Sequence, residues 1–420
     1  MELSATDQGV LNGERGQGAA LAMRLIVEYG RALGALHLIP VTRAHVDGCL
    51  YQGDSGIDFA QALAGGGARV SVPTTLNVGL VDLLHPELNL GNRKRGGQGR
   101  RLMRLYEEMG CTPTWTCAPY QLPNRPIFGE QVAWAESNAI AFINSVVGAR
   151  TDRYGDFIDI CAGIVGRVPD HGLHRTENRR GRIVFDVAGL PAKWFANELL
   201  WPLLGFVVGA AAGGRVPVVD GVPGLVSEDS LKAFGAAAAS SGSVALFHIV
   251  GVTPEAPERA EALQGQAPDQ VIVVTARAIR DAQRELTTRG DGELAAISVG
   301  TPHFSITEFE TLVSLIVGRR SRPEVRFYVS TGRSVLAEVE RRGWLEPLQD
   351  FGATIVVDSC TYLAPFMHPQ RGALIMTNSA KWAYYAPGNL GYNVLLASLA
   401  DCVRSAHEGR ILISEALSDL

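Results

Sequence analysis

Apolar residues recur at helical spacing over residues 17–33, where Ala, Leu, Met, Ile and Val alternate with Arg24 and Glu28. This pattern predicts an amphipathic helix. Residues 36–41 read as a short buried strand, and residues 57–64 as a helix closed by Gly65-Gly66-Gly67. Residues 69–72 read as a strand leading into Pro73. A helical pattern over 130–147 is interrupted by Glu136-Ser137-Asn138 and Asn144-Ser145, residues 152–179 are loop-rich, and 183–187 is a strand. From about residue 240 the rhythm changes. Strands at 244–250, 271–274, 295–299, 325–329, 355–357 and 373–376 alternate with helices, three of which end near 286, 317 and 342. That alternation predicts an α/β fold with mainly parallel sheets covered on both faces. The Gly, Pro and Ser content of 215–240 marks a linker, dividing the chain into an N-terminal α/β region, 1–230, with polar site loops, and a strand–helix repeat region, 231–420.

The chain has 420 residues, 46% of them hydrophobic and 19% charged, which supplies ample material for buried cores and excludes a disordered chain. A net charge of −5 gives no nucleic-acid footprint. The densest basic run, Arg93-Lys94-Arg95 with Arg100-Arg101, reads as a solvated loop, with anion capture as the sharper alternative. The N-terminus lacks an apolar signal region, and the longest apolar stretch, 199–212, is shorter than the roughly 20 residues a bilayer requires. These features predict a cytoplasmic protein without membrane contact. Six cysteines in a chain of this length read as free thiols or metal ligands, not as a disulfide framework.

Four predicted strand ends are polar: Gly300-Thr301-Pro302-His303, Asp358-Ser359-Cys360-Thr361, Thr377-Asn378-Ser379-Ala380-Lys381, and His248 with Gly251-Val252-Thr253-Pro254-Glu255. Ligands of open α/β sheets bind outside the carboxyl ends of strands, so these segments are site candidates. Ser and Asn are poor helix-interior residues, and their use at 137, 138, 144 and 145, followed by Arg150-Thr151, points either to a site or to satisfied buried polar groups. Taken singly, each cysteine reads as a buried thiol; Cys360, after an acidic strand end, is the better placed. His171, His174, Glu177 and Asn178 match no metal-ligand spacing and read as hydrogen-bonding or substrate-contacting groups. The glycine runs lack the strand–GxGxxG–helix context of a dinucleotide site. The residues by themselves do not define a reaction.

Several segments, in this order, resemble the aconitase X group of the aconitase superfamily: His45-Val46-Asp47-Gly48, Val72-Pro73-Thr74-Thr75-Leu76-Asn77, Cys117-Ala118-Pro119-Tyr120, Glu136-Ser137-Asn138-Ala139, 144–151, Asp159-Ile160-Cys161-Ala162, Gly172-Leu173-His174, 251–256, Pro302-His303-Phe304-Ser305, Asp358-Ser359-Cys360 and 377–381. The resemblance spans nearly the whole chain. It implies an aconitase-like large subunit of several α/β layers, lacking the C-terminal swivelling domain, with an iron–sulfur cluster, a 2Fe-2S type among the options, or mononuclear iron. It implies a hydro-lyase that acts on a small hydroxy acid and works as a heterodimer with a small subunit carrying the swivelling domain and the catalytic base. Group members act on cis-3-hydroxy-L-proline or on mevalonate 5-phosphate. Archaeal-type members resemble Gly-Cys-Pro-His where this chain has Gly300-Thr301-Pro302-His303; a threonine cannot replace a soft thiolate ligand, which favours the hydroxyproline branch.

On that resemblance, Cys117, Cys360 and Cys161 are the expected metal ligands. Lys381, Ser137 and His303 are the expected catalytic residues. Thr74, Thr75, Asn77, Glu136, Asn138, Asn144, Ser145 and Arg150 are the expected substrate-binding residues, with Arg150 or Lys381 answering the substrate carboxylate. The rival readings are a mevalonate 5-phosphate dehydratase large subunit and a non-catalytic metal-binding scaffold subunit.

Overall fold

The structure is a computed structural model that describes residues 1–367 and 371–414. Fourteen strands are present among the described residues: β1 (Leu38–Pro40), β2 (Ala44–Val46), β3 (Thr74–Leu76), β4 (Ala133–Trp134), β5 (Arg167–Pro169), β6 (Ile183–Asp186), β7 (Pro217–Asp220), β8 (His248–Ile249), β9 (Gln270–Val273), β10 (Leu294–Phe304), β11 (Arg326–Thr331), β12 (Ala353–Val356), β13 (Leu374–Thr377) and β14 (Asn393–Leu396). They form three parallel sheets, ordered β3-β2-β4, β8-β7-β6-β9 and β12-β11-β10-β13-β14, and one antiparallel pair, β1-β5. No described helix is long and apolar enough to cross a membrane.

The five-stranded sheet shows why continuous apolar runs become parallel strands. Successive residues of a strand point to opposite faces. Ala296, Tyr328, Val356, Ile375 and Val394 enter the main core, whereas Ile297, Phe327, Val329, Ile355, Val357, Met376 and Leu395 enter a second core on the other face. Both faces are dry, so the strands need no polar alternation. The helices Ile306–Ile316, Arg333–Arg341 and Leu399–Glu408 cover the second core. The first of these begins at a capping box, in which Ser305 and Glu308 satisfy each other's backbone N–H groups.

Several expectations change. Residues 69–72 are not a strand; the strand is Thr74–Leu76, one residue beyond Pro73, where β-branched threonines pair with β2. Residues 93–108 are a helix, not a solvated loop, with Asn92 accepting from the Lys94 and Arg95 N–H groups at its start. Residues 215–240 form β7 and most of the helix Glu228–Gly242. That helix packs so closely on the helix Leu200–Ala212 that a Cβ at Gly205 would collide with the Phe234 carbonyl. The glycines there serve helix contact, not linker freedom. β6 and β7 precede residue 230 and β8 and β9 follow it, so their sheet draws on both expected regions.

Candidate functional site

The site forms where the carboxyl ends of two parallel sheets meet. From the three-stranded sheet, β2 delivers Asp47, β3 delivers Asn77, and β4 leads through Ala135 into Glu136. From the five-stranded sheet, β10 carries His303, the turn after β12 carries Cys360, and the helix after β13 carries Lys381. Cys117 joins them from the loop after Thr116, whose N–H donates to the Leu76 carbonyl at the end of β3. Sequence separation of more than 240 residues between Cys117 and Cys360 thus becomes direct contact, with the two sulfurs 3.9 Å apart.

Cys117, His303 and Cys360 form a buried group whose ligand atoms all lie within 4.8 Å of one another. Two soft sulfurs and an imidazole suit a thiophilic cation such as iron, and no disulfide joins the cysteines. Hydrogen bonding to Cys117 together with burial holds the Cys360 thiol well above its usual range; a bound cation would displace that proton. The third member is less free. His303 Nδ1 lies 3.1 Å from Thr116 Oγ1, and Nε2 lies 3.1 Å from the Ser359 carbonyl. The carbonyl requires a donor, so Nε2 carries the hydrogen and Nδ1 accepts from the threonine. Burial lowers the His303 pKa to about 4, so it is neutral at pH 7. Its backbone N–H also donates to the Cys117 sulfur at 3.4 Å. His303 therefore spans the two cysteine loops and orients them.

Three of the six described non-glycine residues with positive φ lie here: Trp115 has φ 44°, Glu136 has φ 75° and Asp358 has φ 60°. Each lies in the left-handed region, costing of order 1–3 kcal/mol, and each is Glu136 itself or sits two residues before a site cysteine. The surroundings enforce these conformations. Asp358 receives a bidentate contact from Arg333 at 2.6 and 2.7 Å and the Leu83 N–H at 3.1 Å. Glu136 caps the helix Ser137–Phe142 by accepting from Ala139 N–H at 2.8 Å.

Beside the cysteine pair lies a cavity of about 430 Å³, a size typical of small-molecule sites, whose wall includes Asp47, Asn77, Cys117, Glu136, Ser137 and Lys381. Lys381 forms a buried ion pair with Glu136. Although burial opposes its charge, Glu136, Tyr362 and Cys117 hold its pKa well above the usual lysine range, so it is a cation. Ser137 Oγ is 3.3 Å from the Glu136 carboxylate. Burial raises the Asp47 pKa to about 8, with help from Asp156 and Glu136, and Asn77 donates to it.

Of the expected substrate-binding residues, Asn77 and Glu136 reach this wall. Asn138 lies behind it, donating to the Cys117 carbonyl at 2.9 Å and accepting from Tyr120 at 2.7 Å. Thr74, Thr75, Asn144, Ser145 and Arg150 do not line the cavity. Their polar groups are spent elsewhere: Thr74 on the Val72 carbonyl, Thr75 on His45, Asn144 on Thr151 and Arg179, Ser145 on the Phe247 N–H, and Arg150 on His174 and Thr176. Cys161 is not in the metal-competent group. It lies on the helix Ile158–Val165 within the apolar core, away from the Cys117–His303–Cys360 group. The strand-end cluster at His248 belongs to a different neighbourhood, where His248 Nε2 pairs with the Arg179 carbonyl at 2.8 Å. Asp47 and Tyr362 line the cavity without having been assigned a role from the sequence, and Arg95 joins them from the basic run for which anion capture was the sharper alternative. The signal for Asp47 was present in its position directly after Val46, which ends β2.

A buried thiol pair with an imidazole, set at opposed strand ends next to a cavity walled by a lysine–glutamate pair, defines a protein able to hold a metal beside a small polar ligand. The chain belongs to the aconitase X family: family models described as the Aconitase X first, second and third domains match residues 1–177, 181–284 and 294–408. It is 44% identical over 410 residues to the cis-3-hydroxy-L-proline dehydratase of Pseudomonas aeruginosa, covering 97% of this chain and 70% of that protein. It is 34% identical over 409 residues to the phosphomevalonate dehydratase large subunit of Thermococcus kodakarensis, covering 97% of this chain and all of that one. The crystal structure of Thermococcus kodakaraensis aconitase X in its holo form superposes with a TM-score of 0.86 at 32% identity, over 97% of this chain and all of that one.

Proposed function

We propose that this chain is the large subunit of a hydro-lyase that dehydrates cis-3-hydroxy-L-proline to a pyrroline-2-carboxylate, with iron at Cys117 and Cys360 and a small subunit completing the site. The observation that carries this reading is the contact of the two cysteines beside a cavity walled by Glu136, Ser137 and Lys381. The P. aeruginosa relative at 44% identity carries the corresponding name, and a Hypocrea jecorina protein of the same name is 41% identical over 97% of this chain. The chain spans about 70% of each of these; the Thermococcus kodakarensis relative is named as a large subunit, which supports a small-subunit partner.

The reaction breaks the Cα–H and C3–O bonds and releases water, leaving an enamine that tautomerises to a cyclic imine acid. Iron, when bound, supplies Lewis acidity that eases departure of hydroxide. Lys381, kept protonated by Glu136, offers a proton toward the departing hydroxyl. Ser137 and Asn77 orient the ring by hydrogen bonds, which contributes through placement of the reacting atoms. His303 and Asn138 are positioning residues, fixing the loop of Cys117. The partner supplies the base for the Cα proton. Iron and turnover, measured on the chain co-expressed with its small subunit, test the assignment. Cys360→Ala is expected to lose iron and turnover together; full iron content in that variant sinks it.

A second reading, dehydration of mevalonate 5-phosphate, draws on a cavity of about 600 Å³ beside the first, lined by Arg93, Arg95 and Arg100. Against it, the Asn92 side chain already occupies two N–H groups at the start of that helix. Thr301 places a hydroxyl, with no hydrogen-bond partner in the structure, where the archaeal-type sequences resemble a cysteine. Turnover of only the phosphorylated compound would decide for this reading.

A further inference from the structure

The reacting cavity and the arginine-lined cavity beside it share one charged residue, Arg95, in the first turn of the helix Arg93–Glu108. A charge account of the reacting cavity isolates it. Lys381 is neutralised by Glu136. Asp47 is bonded to Asn77 and holds its proton at neutral pH. Asp54, the acid on the neighbouring helix, is bonded to Tyr51 at 2.9 Å and Gln98 at 3.3 Å, and the cations acting on it are Lys94 and Arg101. Among the described residues, no carboxylate forms an ion pair with Arg95, and its side chain makes no hydrogen bond. The cavity therefore carries, on an exposed arginine at its rim, one positive charge that no described carboxylate pairs.

From this geometry we infer that Arg95 is the specificity-determining anchor for the substrate's carboxylate; the charge of Lys381 is already balanced by Glu136, which leaves it donors but no net charge to offer. A guanidinium matches a carboxylate through two parallel N–H···O contacts, which a lysine at the same place would not reproduce. Arg150, the other cation considered from sequence, spends its guanidinium on the His174 carbonyl and on Thr176, outside the cavity. The inference rests on the proposed site but not on which ring or chain is dehydrated, because a carboxylate is common to both candidate substrates.

The test uses the iron-loaded complex with its small subunit. Calorimetric titration compares L-proline with L-prolinamide, which lacks the carboxylate charge. In the wild type, L-proline is expected to bind at least tenfold more tightly, and in Arg95→Gln that preference should vanish with iron content unchanged. In turnover, Arg95→Gln should raise KM at least tenfold while kcat stays within about threefold, Arg95→Lys should recover part of the loss, and Arg104→Gln, on the same helix but away from both cavities, should behave as wild type. A preference for L-proline retained in Arg95→Gln, no preference in the wild type, or a fall in kcat at unchanged KM would each overturn the anchor. If L-proline binds through Arg95 while cis-3-hydroxy-L-proline is not turned over, the substrate assignment fails and the anchor stands.

Discussion

Two buried cations, Arg179 and Lys381, sit in opposite situations. Arg179 is 1% exposed and has its guanidinium used up: it meets both oxygens of Glu255, the Asn144 side chain and carbonyl, and the Leu173 carbonyl, at 2.5 to 3.1 Å. Lys381 has one carboxylate, Glu136, and otherwise faces a cavity. Both clusters combine polar residues in apolar sequence, and both belong to segments that resemble the aconitase X motifs. The difference lies in saturation. A fully bonded arginine has nothing left to offer a ligand, so it fastens the Asn144 turn to the loops at 173 and 255. A singly paired ammonium beside open space keeps two donors for chemistry.

That contrast predicts opposite phenotypes. Arg179→Met strands Glu255 and the acceptors around Asn144, and breaking a buried pair from one side costs about 3–5 kcal/mol. Urea denaturation should show this loss, while turnover per folded molecule stays within about threefold. A variant that keeps its stability and loses turnover would erase the distinction and move Arg179 into the reaction.

Lys381→Met should do the reverse, lowering kcat by about 10²–10³-fold, or about 3–4 kcal/mol, as expected for loss of a positioned proton donor. It also leaves the Glu136 carboxylate without its partner. The double variant Glu136→Gln/Lys381→Met removes both charges, and should recover stability to near wild type while turnover remains lost. Recovery of turnover along with stability would mean that the pair is structural, like Arg179 and Glu255.

The sequence made the five-stranded sheet legible because its strands are continuous apolar runs set between helical periods, and β10, β11, β12 and β13 all fall within or beside the expected segments. It made the metal pair legible mainly through resemblance: Cys360 stood out locally at an acidic strand end, but nothing local distinguishes Cys117 from Cys161, since both are buried, and only the meeting of two sheets separates them. Strands of two or three residues such as β2 and β4 escaped because so short a run carries no period. The helix at 93–108 was hidden by its composition: Arg, Lys, Gly and Gln occupy its first two turns, and the residues that bury it, Leu102, Met103 and Tyr106, come late. Asn144, Ser145 and Arg150 misled for a related reason. A polar residue in apolar sequence marks a buried hydrogen bond, but whether the partner is protein or ligand depends on a residue such as Arg179, which lies some 30 positions further along.

Each region also contains a buried histidine, and acid should weaken both. Burial is the largest cause in each case, lowering His45 to about 3 and His174 to about 4, from 6.5. The folded state thus favours the neutral ring, and the unfolded chain takes up the extra protons. Stability from this source is complete above pH 6.5 and is lost as pH falls toward the folded values. Each of these two protons contributes a slope of about 1.4 kcal/mol per pH unit near pH 5; His303, also lowered to about 4, adds to it, and the raised carboxyl of Asp47 opposes it. Denaturation midpoints at pH 7.5, 6 and 5, compared between the wild type and His174→Gln, isolate the His174 share, about 1.4 kcal/mol per pH unit near pH 5. An unchanged slope in that variant would remove His174 from the account, and with it the coupling between acid stability and the Arg179 cluster.

The smallest effect provides the sharpest boundary between the two regions. Arg150 is half-buried and donates to the His174 carbonyl at 3.1 Å and to Thr176 Oγ1 at 2.8 Å, beside the Arg179 cluster. Thr176 is exposed to water and the His174 carbonyl keeps a second donor in Gln131, so Arg150→Gln should cost about 1 kcal/mol or less. Its KM for substrate should move by less than about twofold, because its donors are engaged outside the cavity. The measurement discriminates because Arg95→Gln, at the other cation, is expected to raise KM at least tenfold with little change in stability. Two arginine-to-glutamine changes of equal charge would then separate, one reporting on substrate and the other on a structural contact. A tenfold rise in KM for Arg150→Gln, matched by none for Arg95→Gln, would reverse the assignment and require the Arg150 contacts with His174 and Thr176 to open when substrate binds.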